Sequence, residues 1–176
     1  AELTPGSHAV QFCDDDPSLL DTLEAFCAGG LLLGEAVIVI ATPAHLAGLR
    51  QRLRLRRMDL ATLQIFDQLI ALDADDTLQR FMRDGRPDPV LFEAVASELL
   101  ERARAGGRPV RAFGEMVQLL CERGQHDATI ELERHWQRVC RVEKLPLLCA
   151  YRKDSFSSDD SGGIRRICQA HCSVIS

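Results

Sequence analysis

Several features that mark large classes of protein are absent from this sequence. No apolar run approaches the roughly 18 residues that a membrane-spanning helix needs, and no signal peptide is visible, so no membrane association is expected. The formal net charge is −5, which argues against direct binding of nucleic acid. Aromatic residues make up only 5% of the chain, and the arginine-rich segment 50–57 contains none of them. We therefore interpret that segment as a solvated helix face rather than a stacking surface for nucleotides.

A glycine-rich phosphate loop is also missing. Nucleotide-binding α/β proteins carry GxxxxGK[ST] or GxGxxG after the first strand, where backbone amides hold the phosphate groups. Here the corresponding segment is CDDDPSLL (13–20), which has no glycine and no lysine and places three carboxylates where a phosphate would lie. A solvated helix cap explains these carboxylates better than a Mg²⁺ site does. Because no nucleophile and base have a recognisable spacing either, we expect a protein that is not an enzyme.

Cysteine is present, but not in a paired pattern. The seven cysteines form an odd count, and most of them lie inside apolar periodic segments such as LLC and LLCAY. This usage is typical of a reduced intracellular protein, in which cysteine serves as a small hydrophobic residue, so we predict a cytoplasmic location. The sequence begins at Ala1 rather than at a methionine, from which we expect a processed, trimmed or excised chain.

Short apolar runs alternate with amphipathic segments along the chain. The run EAVIVIA (35–41) is typical of a strand buried on both faces. Further strands are predicted at 8–13, 62–66, 109–113, 147–151 and in the terminal SVIS, and helices at 17–28 behind an Asp16 N-cap, from 42, at 73–84, at 90–105, from 115, at 127–143 and at 164–171. This alternation predicts a single α/β domain, 1–176, with three layers and a mostly parallel central sheet flanked by helices. The polar segment 155–163 is predicted to be a flexible loop.

The carboxyl ends of the strands are where open parallel sheets bind their ligands. In this sequence those ends fall at 13–16, 42, 66–68, 114–116 and 151–152. Glu115 belongs to this set and also opens a predicted helix, where a carboxylate stabilises the positive end of the helix dipole. Capping and a role in a site are therefore both open for Glu115.

Glu133 is an unusual acidic residue within a predicted core-facing stripe. It lies three residues from both Ile130 and Trp136, which mark the apolar face of their helix. A carboxylate in that position needs a partner, either a ligand or an arginine such as Arg111 or Arg152. A buried ion pair is the favoured interpretation.

The C-terminal segment ICQAHCSVIS contains a weak metal-ligand pattern. Cys168, His171 and Cys172 stand at helical spacings of three and four residues, and thiolate and imidazole ligands bind zinc. A fourth ligand, such as His8 or Cys13, would have to come from elsewhere in the fold. Buried thiols and a hydrogen-bonded histidine are the favoured interpretation, so no metal and no other cofactor is predicted.

Seven segments together resemble one family. HAVQFCDDD, LGEAVIVIATPAH, RFMRDGRPD, VRAFGEMVQLLCERG, ELERHW, LLCAYR and ICQAHCSVI occur in the order expected of a MEDS domain, the methanogen/methylotroph, DcmR-type sensory domain. The resemblance covers residues 8–176, and FGEM and LLCAY are its most specific parts. It implies a RecA/KaiC-like fold with a degenerate phosphate loop, placed beside a histidine kinase or a transcriptional regulator and sensing a small organic molecule.

The resemblance also implies which positions matter. The matching positions are His8, Asp15, Glu35, Gly114, Glu115, Met116, Glu133, Trp136, Cys149, Tyr151, Cys168 and His171. Two positions depart from the family pattern, since Cys13 replaces an aromatic residue and Cys121 replaces a tryptophan. Either these changes reshape a ligand pocket or they only repack the core.

We therefore expect a non-catalytic sensory input domain that binds a small organic ligand near the carboxyl ends of the strands. The alternative is a protein–protein interaction module, derived from an NTPase fold, that binds no ligand. A homodimer is compatible with either. Glu115 is expected to cap its helix and to point into the pocket, with Glu133 and Trp136 converging on it. The candidate ligand-binding residues are His8, Cys13, Asp15, Glu35, Glu115, Met116, Glu133, Trp136, Tyr151 and His171.

Overall fold

One parallel sheet forms the centre of the computed structural model, which describes residues 3–153, 171 and 173–175. Six strands form this sheet: β1 (His8–Cys13), β2 (Ala36–Ala41), β3 (Leu69–Asp73), β6 (Val110–Gly114), β7 (Leu147–Arg152) and β8 (Ser173–Ile175). Two further strands of two residues each, β4 (Met82–Arg83) and β5 (Arg86–Pro87), pair with each other outside it. The sheet has the order β3-β2-β6-β7-β1-β8, and every neighbouring pair is parallel. The small β4–β5 ribbon is antiparallel. The predicted α/β class with a mostly parallel sheet is confirmed.

Helices cover both faces of this sheet. Their bounds are α1 (Asp16–Leu32), α2 (Pro43–Leu55), α3 (Leu60–Ile65), α4 (Ala74–Phe81), α5 (Pro89–Arg104), α6 (Met116–Glu122) and α7 (His126–Glu143). Two hydrophobic cores result, one under α1 to α3 and the other under α4 to α7. In β2, Ile38 and Ile40 enter the second core while Val37 and Val39 enter the first, because successive side chains point to opposite faces of a strand. The predicted three-layer arrangement is therefore confirmed.

Helix α1 differs from its prediction at both ends. Its N-cap is Asp15, not Asp16, and Asp15 forms a capping box with Ser18. The helix also continues past its predicted end at 28, through Gly29 and Gly30, to Leu32. Gly30 serves close packing instead, since a Cβ there would lie 2.8 Å from the Arg111 side chain and 2.9 Å from Val37. A glycine can mark a tight contact within a helix as well as its end.

The strand predicted at 62–66 is wrong, because these residues belong to helix α3 and its end. Asp59 caps that helix through the backbone amide of Thr62, and residues 64–66 are exposed, which a central strand does not allow. The third strand is β3, so its carboxyl end is Asp73 rather than 66–68. The helix predicted at 73–84 is α4, which ends at Phe81.

Part of the C-terminal prediction lies outside the described residues. The loop at 155–163 and most of the helix at 164–171 belong there, whereas the final strand is confirmed as β8. No helix in the described part of the chain is long and apolar enough to cross a membrane. The RecA/KaiC-like likeness and the single domain over 1–176 stay predictions.

Candidate functional site

Five buried polar side chains meet between helix α7 and the sheet. They are His8 on β1, Glu133 on α7, Cys149 and Tyr151 on β7, and His171, two residues before β8. We call this set the Glu133 cluster. The side chains of His8, Glu133 and His171 are 0% exposed, so solvent supplies none of their hydrogen bonds. Four of the five were predicted site residues, and Cys149 was noted only as a matching family position.

The Glu133 carboxylate is the centre of the cluster. Its Oε2 lies 3.2 Å from His8 Nε2, 3.3 Å from His171 Nε2 and 3.7 Å from Cys149 Sγ. Its Oε1 accepts a 2.6 Å hydrogen bond from the Tyr151 hydroxyl. His8 Nε2 is also 3.3 Å from Cys149 Sγ, and the two imidazole rings are 4.0 Å apart. Both oxygens of the buried carboxylate therefore have polar partners, as burial requires.

Within the cluster, the pKa of Glu133 is lowered while those of Cys149 and Tyr151 are raised. Burial acts to raise the pKa of Glu133, but the neighbouring His171 and His8 lower it to about 2. Burial, followed by the charge of Glu133, raises the pKa of the Cys149 thiol and of the Tyr151 hydroxyl well above their ordinary values. A charged carboxylate is thus surrounded by imidazoles, a thiol and a phenol.

The predicted arginine partners of Glu133 are wrong. Arg111 pairs with Glu35, and Arg152 lies 2.7 Å from Asp16. Strand alternation gives the reason: Cys149 and Tyr151 pack on the α7 side of β7, so Arg152 points to the opposite side. The same alternation in β6 turns Arg111 away from α7.

A second buried polar group lies at the carboxyl edge of the sheet. Glu115 is 1% exposed; its Oε2 accepts a 2.8 Å hydrogen bond from the Thr42 backbone amide, and its Oε1 is 2.6 Å from His45 Nδ1. Glu115 occupies the N-cap position of α6 but makes no side-chain cap there, so the predicted capping of its own helix is wrong. Because β6 and β2 are adjacent, Glu115 instead holds the first turn of α2.

His45 was missed by the sequence analysis. Its only local signal is its place three residues after the Thr42 N-cap, where its backbone amide reaches the threonine hydroxyl. The burial of His45 at 9% exposure follows from the packing of α2 beside Glu115. Charged neighbours complete the edge, with Asp16 Oδ1 at 3.7 Å from His45 Nε2 and at 2.7 Å from Arg152 Nη1.

The His45–Glu115 pair predicts a pH-dependent stability. The Glu115 carboxylate, with Oε1 at 2.6 Å from Nδ1, raises the pKa of His45 against the effect of burial, and Asp16 adds to the rise while Arg152 opposes it. A raised pKa stabilises the fold fully below the unfolded value of about 6.5, and this contribution is lost as pH rises through the folded pKa. We expect Glu115→Gln to cost about 1.5–3 kcal/mol near pH 6 and less at higher pH.

Urea unfolding of the wild type and of Glu115→Gln, repeated between about pH 6 and pH 9, measures this difference. His45→Asn is the matched variant, because it removes the other member of the pair and should show the same trend. A difference that stays constant across the range would show that His45 does not titrate against Glu115.

The turn after β1 is used for capping. The Asp15 carboxylate accepts a 2.8 Å hydrogen bond from the Ser18 backbone amide, and this interaction lowers the pKa of Asp15. An amide that a phosphate loop would offer to its ligand is therefore occupied by a side chain. Lys153 Nζ lies 2.6 Å from the neighbouring Asp14. The interpretation of 14–16 as a helix cap is supported.

Three further predicted site residues are core residues. Cys13 is 3% exposed in the core under α1, and Met116 is 1% exposed in the core under α7. Trp136 packs edge-on against Phe92, with ring centroids 4.9 Å apart. The expected convergence of Glu133 and Trp136 on Glu115 is not observed, because Glu133 contacts the α7-side cluster and Glu115 contacts α2.

Glu35 lines a cleft beside α1, together with its partner Arg111. The cleft has a volume of about 860 Å³. Arg111 also lies over the Phe26 ring, 5.2 Å from its centre, and reaches the Phe26 carbonyl at 3.3 Å. The lining residues are Leu3, Thr4, Pro5, Gln11, Asp21, Thr22, Ala25, Phe26, Gly29, Leu33, Glu35, Arg111 and Leu148.

Of the three residues in the weak metal-ligand pattern at the C-terminus, the structure describes only His171. Cys168 and Cys172 lie outside the described residues, and His171 joins the Glu133 cluster. Of the two fourth ligands considered from the sequence, His8 is in that cluster and Cys13 is in the core under α1.

The fold and these groups define a class: a parallel α/β domain whose first strand is followed by a capped acidic turn rather than a phosphate loop. Within that class the chain belongs to the MEDS family, described as the MEthanogen/methylotroph, DcmR Sensory domain, whose profile matches residues 7–171. The resemblance seen in the sequence is confirmed, and MEDS is a family of sensory domains. No curated protein matches the chain.

Proposed function

We propose that this chain is a non-catalytic sensory input domain that binds a small organic ligand. The match of residues 7–171 to a family of sensory domains carries this proposal. Ligand binding changes the activity of a histidine kinase or a transcriptional regulator, attached or separate, in the cytoplasm. A ligand can do this only by binding one conformation more tightly than another. The acidic turn at 14–16, with Asp15 engaged as a cap, supports the non-catalytic part.

The cleft beside α1 is the ligand site that we propose. Its volume of about 860 Å³ falls within the range of small-molecule pockets, about 300–1,000 Å³. Phe26 and Leu148 offer apolar surface, while Gln11 and Thr22, joined by a 2.9 Å hydrogen bond, offer polar groups. This combination suits an amphipathic organic molecule. The carboxyl ends of the strands, expected from the general rule for open sheets, become the alternative location.

The charged pair in the cleft supplies a route to a conformational response. Arg111 joins Glu35, which precedes β2, to the Phe26 carbonyl on α1. A ligand with a hydrogen-bond acceptor competes for this guanidinium and loosens α1 from β2. This step links occupancy of the cleft to the position of a helix on the surface.

A blocking substitution tests the cleft. Ala25 is exposed and lines it, so Ala25→Trp fills the space without entering the core. Leu32→Trp is the matched control, because Leu32 is on the same helix, 74% exposed and outside the lining. Native mass spectrometry of the gently purified proteins should show a retained small molecule on the wild type and on Leu32→Trp, and its loss from Ala25→Trp.

Other outcomes of the same measurement decide between locations and functions. Retention by Ala25→Trp and loss from Glu115→Gln would place the ligand at the carboxyl edge instead. A bare polypeptide mass for the wild type, together with co-purification of a kinase or regulator, would favour the interaction module. A dimer in light scattering would identify a second copy as a further partner, without bearing on the ligand.

A further inference from the structure

We propose that the Glu133 cluster is a binding site for one divalent metal ion, with Zn²⁺ as the best match. Its four ligands are His8, Glu133, Cys149 and His171, whose donor atoms all lie within 4.8 Å of one another in a buried position. This inference does not rest on the proposed small-molecule function.

The spacing of the donor atoms matches a tetrahedral site. With Zn–N distances near 2.0–2.1 Å and a Zn–S distance near 2.3 Å, tetrahedral ligand atoms are about 3.3–3.6 Å apart. In the cluster, Glu133 Oε2 lies 3.2 Å from His8 Nε2, 3.3 Å from His171 Nε2 and 3.7 Å from Cys149 Sγ. His8 Nε2 and Cys149 Sγ are 3.3 Å apart. The remaining two pairs, from His171 to His8 and to Cys149, lie within 4.8 Å, so binding requires side-chain movements that bring His171 closer to these two donors.

The chemistry of the donors selects the kind of ion. Two imidazoles, one thiolate and one carboxylate form a set of intermediate softness, which suits Zn²⁺ and excludes the all-oxygen sites of Mg²⁺ and Ca²⁺. On coordination the Cys149 thiol loses its proton to solvent, and Zn²⁺ forms the new bond to sulfur. Two anionic and two neutral ligands then balance the charge of the ion, which a buried site favours.

An outer residue completes the arrangement. Oε1 of Glu133 is already held by the Tyr151 hydroxyl at 2.6 Å, so Oε2 is the oxygen left to face the ion. Metal-binding carboxylates in proteins are commonly oriented by such hydrogen bonds. The four ligands come from β1, α7, β7 and the residue two before β8, so the ion would join elements far apart in the chain.

The competing explanation is a hydrogen-bonded network without an ion. Two imidazoles and a phenol can all donate to a carboxylate, so the network satisfies Glu133. In that network the Cys149 thiol, a weak hydrogen-bonding group, donates only a long hydrogen bond of 3.7 Å to Oε2. A metal site uses all four donors.

Cobalt is the probe for the test. The full chain is expressed in medium with Co²⁺ as the supplied metal, and its absorption spectrum and metal content are measured after purification. We expect one equivalent of cobalt, the intense visible bands of tetrahedral Co²⁺ and a near-ultraviolet thiolate-to-cobalt band, with Zn²⁺ displacing the cobalt. A chain that carries no cobalt, or only the weak spectrum of hydrated Co²⁺, overturns the proposal.

Variants assign the ligands. Cys149→Ser should abolish the thiolate-to-cobalt band. Cys13→Ser should keep it, because the Cys13 thiol is buried outside the cluster. Tyr151→Phe should keep the band positions and weaken Co²⁺ binding about 10–100-fold in competition with a chelator. This variant keeps the test valid if Cys149→Ser does not fold. Loss of the band from a Cys168→Ser/Cys172→Ser double variant but not from Cys149→Ser overturns the assignment.

Discussion

Glutamine in place of Glu133 is expected to lower the free energy of unfolding of the metal-free protein by about 3–5 kcal/mol. The substitution keeps the size of the side chain but removes the charge that two imidazoles and the Tyr151 hydroxyl surround. It also places an amide N–H₂ group, which can only donate, beside groups arranged to meet an acceptor. No solvent reaches these side chains to replace the lost interaction, so the cost of the buried mismatch is not reduced.

Urea unfolding in the presence of a chelator measures this effect without any contribution from bound metal. Glu131→Gln is the matched control, since Glu131 is on the same helix and its side chain is 36% exposed. Its ion pair with Arg86 is long, at 3.9 Å, and therefore weak. It should change stability by less than about 0.5 kcal/mol. If Glu133→Gln proves as mild as Glu131→Gln, the charge of Glu133 is not what the cluster stabilises.

The second large effect is expected for Trp136→Ala, with a loss of about 3–5 kcal/mol. Trp136 is 5% exposed and meets Phe92 edge-on, and Phe92 in turn packs against Phe81 at 5.3 Å. These three rings join α7, α5 and α4, so the substitution leaves a cavity where three helices meet. Removal of the indole therefore acts on the packing of the whole α7 layer.

A thermal or urea unfolding series with Phe92→Ala and the double variant measures the coupling of the two rings, expected at about 0.5–1.5 kcal/mol beyond their burial. Val142→Ala, 68% exposed on the same helix, is the control and should be nearly neutral. A Trp136→Ala protein of wild-type stability that no longer retains its small molecule would contradict the core assignment. It would return Trp136 to the ligand-binding residues.

Six of the ten predicted site residues divide among three places in the fold, and the other four are core or capping residues. The Glu133 cluster lies on the α7 side of the sheet, the cleft lies beside α1 on the other side, and the His45–Glu115 pair lies at the carboxyl edge. Strands β1 and β7 connect these places, because residues of one strand point alternately to the two faces. Gln11 in the cleft and His8 in the cluster are both on β1. A shift of β1 would thus move His8 in the cluster and Gln11 in the cleft together.

Local patterns were sufficient where the physical cause is local. The β-branched run at 35–41 predicted β2, and the apolar periodicity at 127–143 predicted α7 to within one residue. Threonine before proline at 42–43 located the start of α2. The pattern failed at 62–66, where a short apolar stretch fits a strand and a helix equally well. There the Asp59 cap and solvent exposure settle the helix.

The sequence by itself determined the α/β class, the acidic turn in place of a phosphate loop, the family, and the need of Glu133 for a buried partner. Only the tertiary structure decided which partner that is. His8 and Cys149 are 141 positions apart and meet because β1 and β7 are neighbours in the sheet. The order of strands depends on how all the helices pack on both faces, which no local pattern encodes. For the same reason His45 and Glu115, 70 residues apart in the chain, form a pair only because β2 lies beside β6.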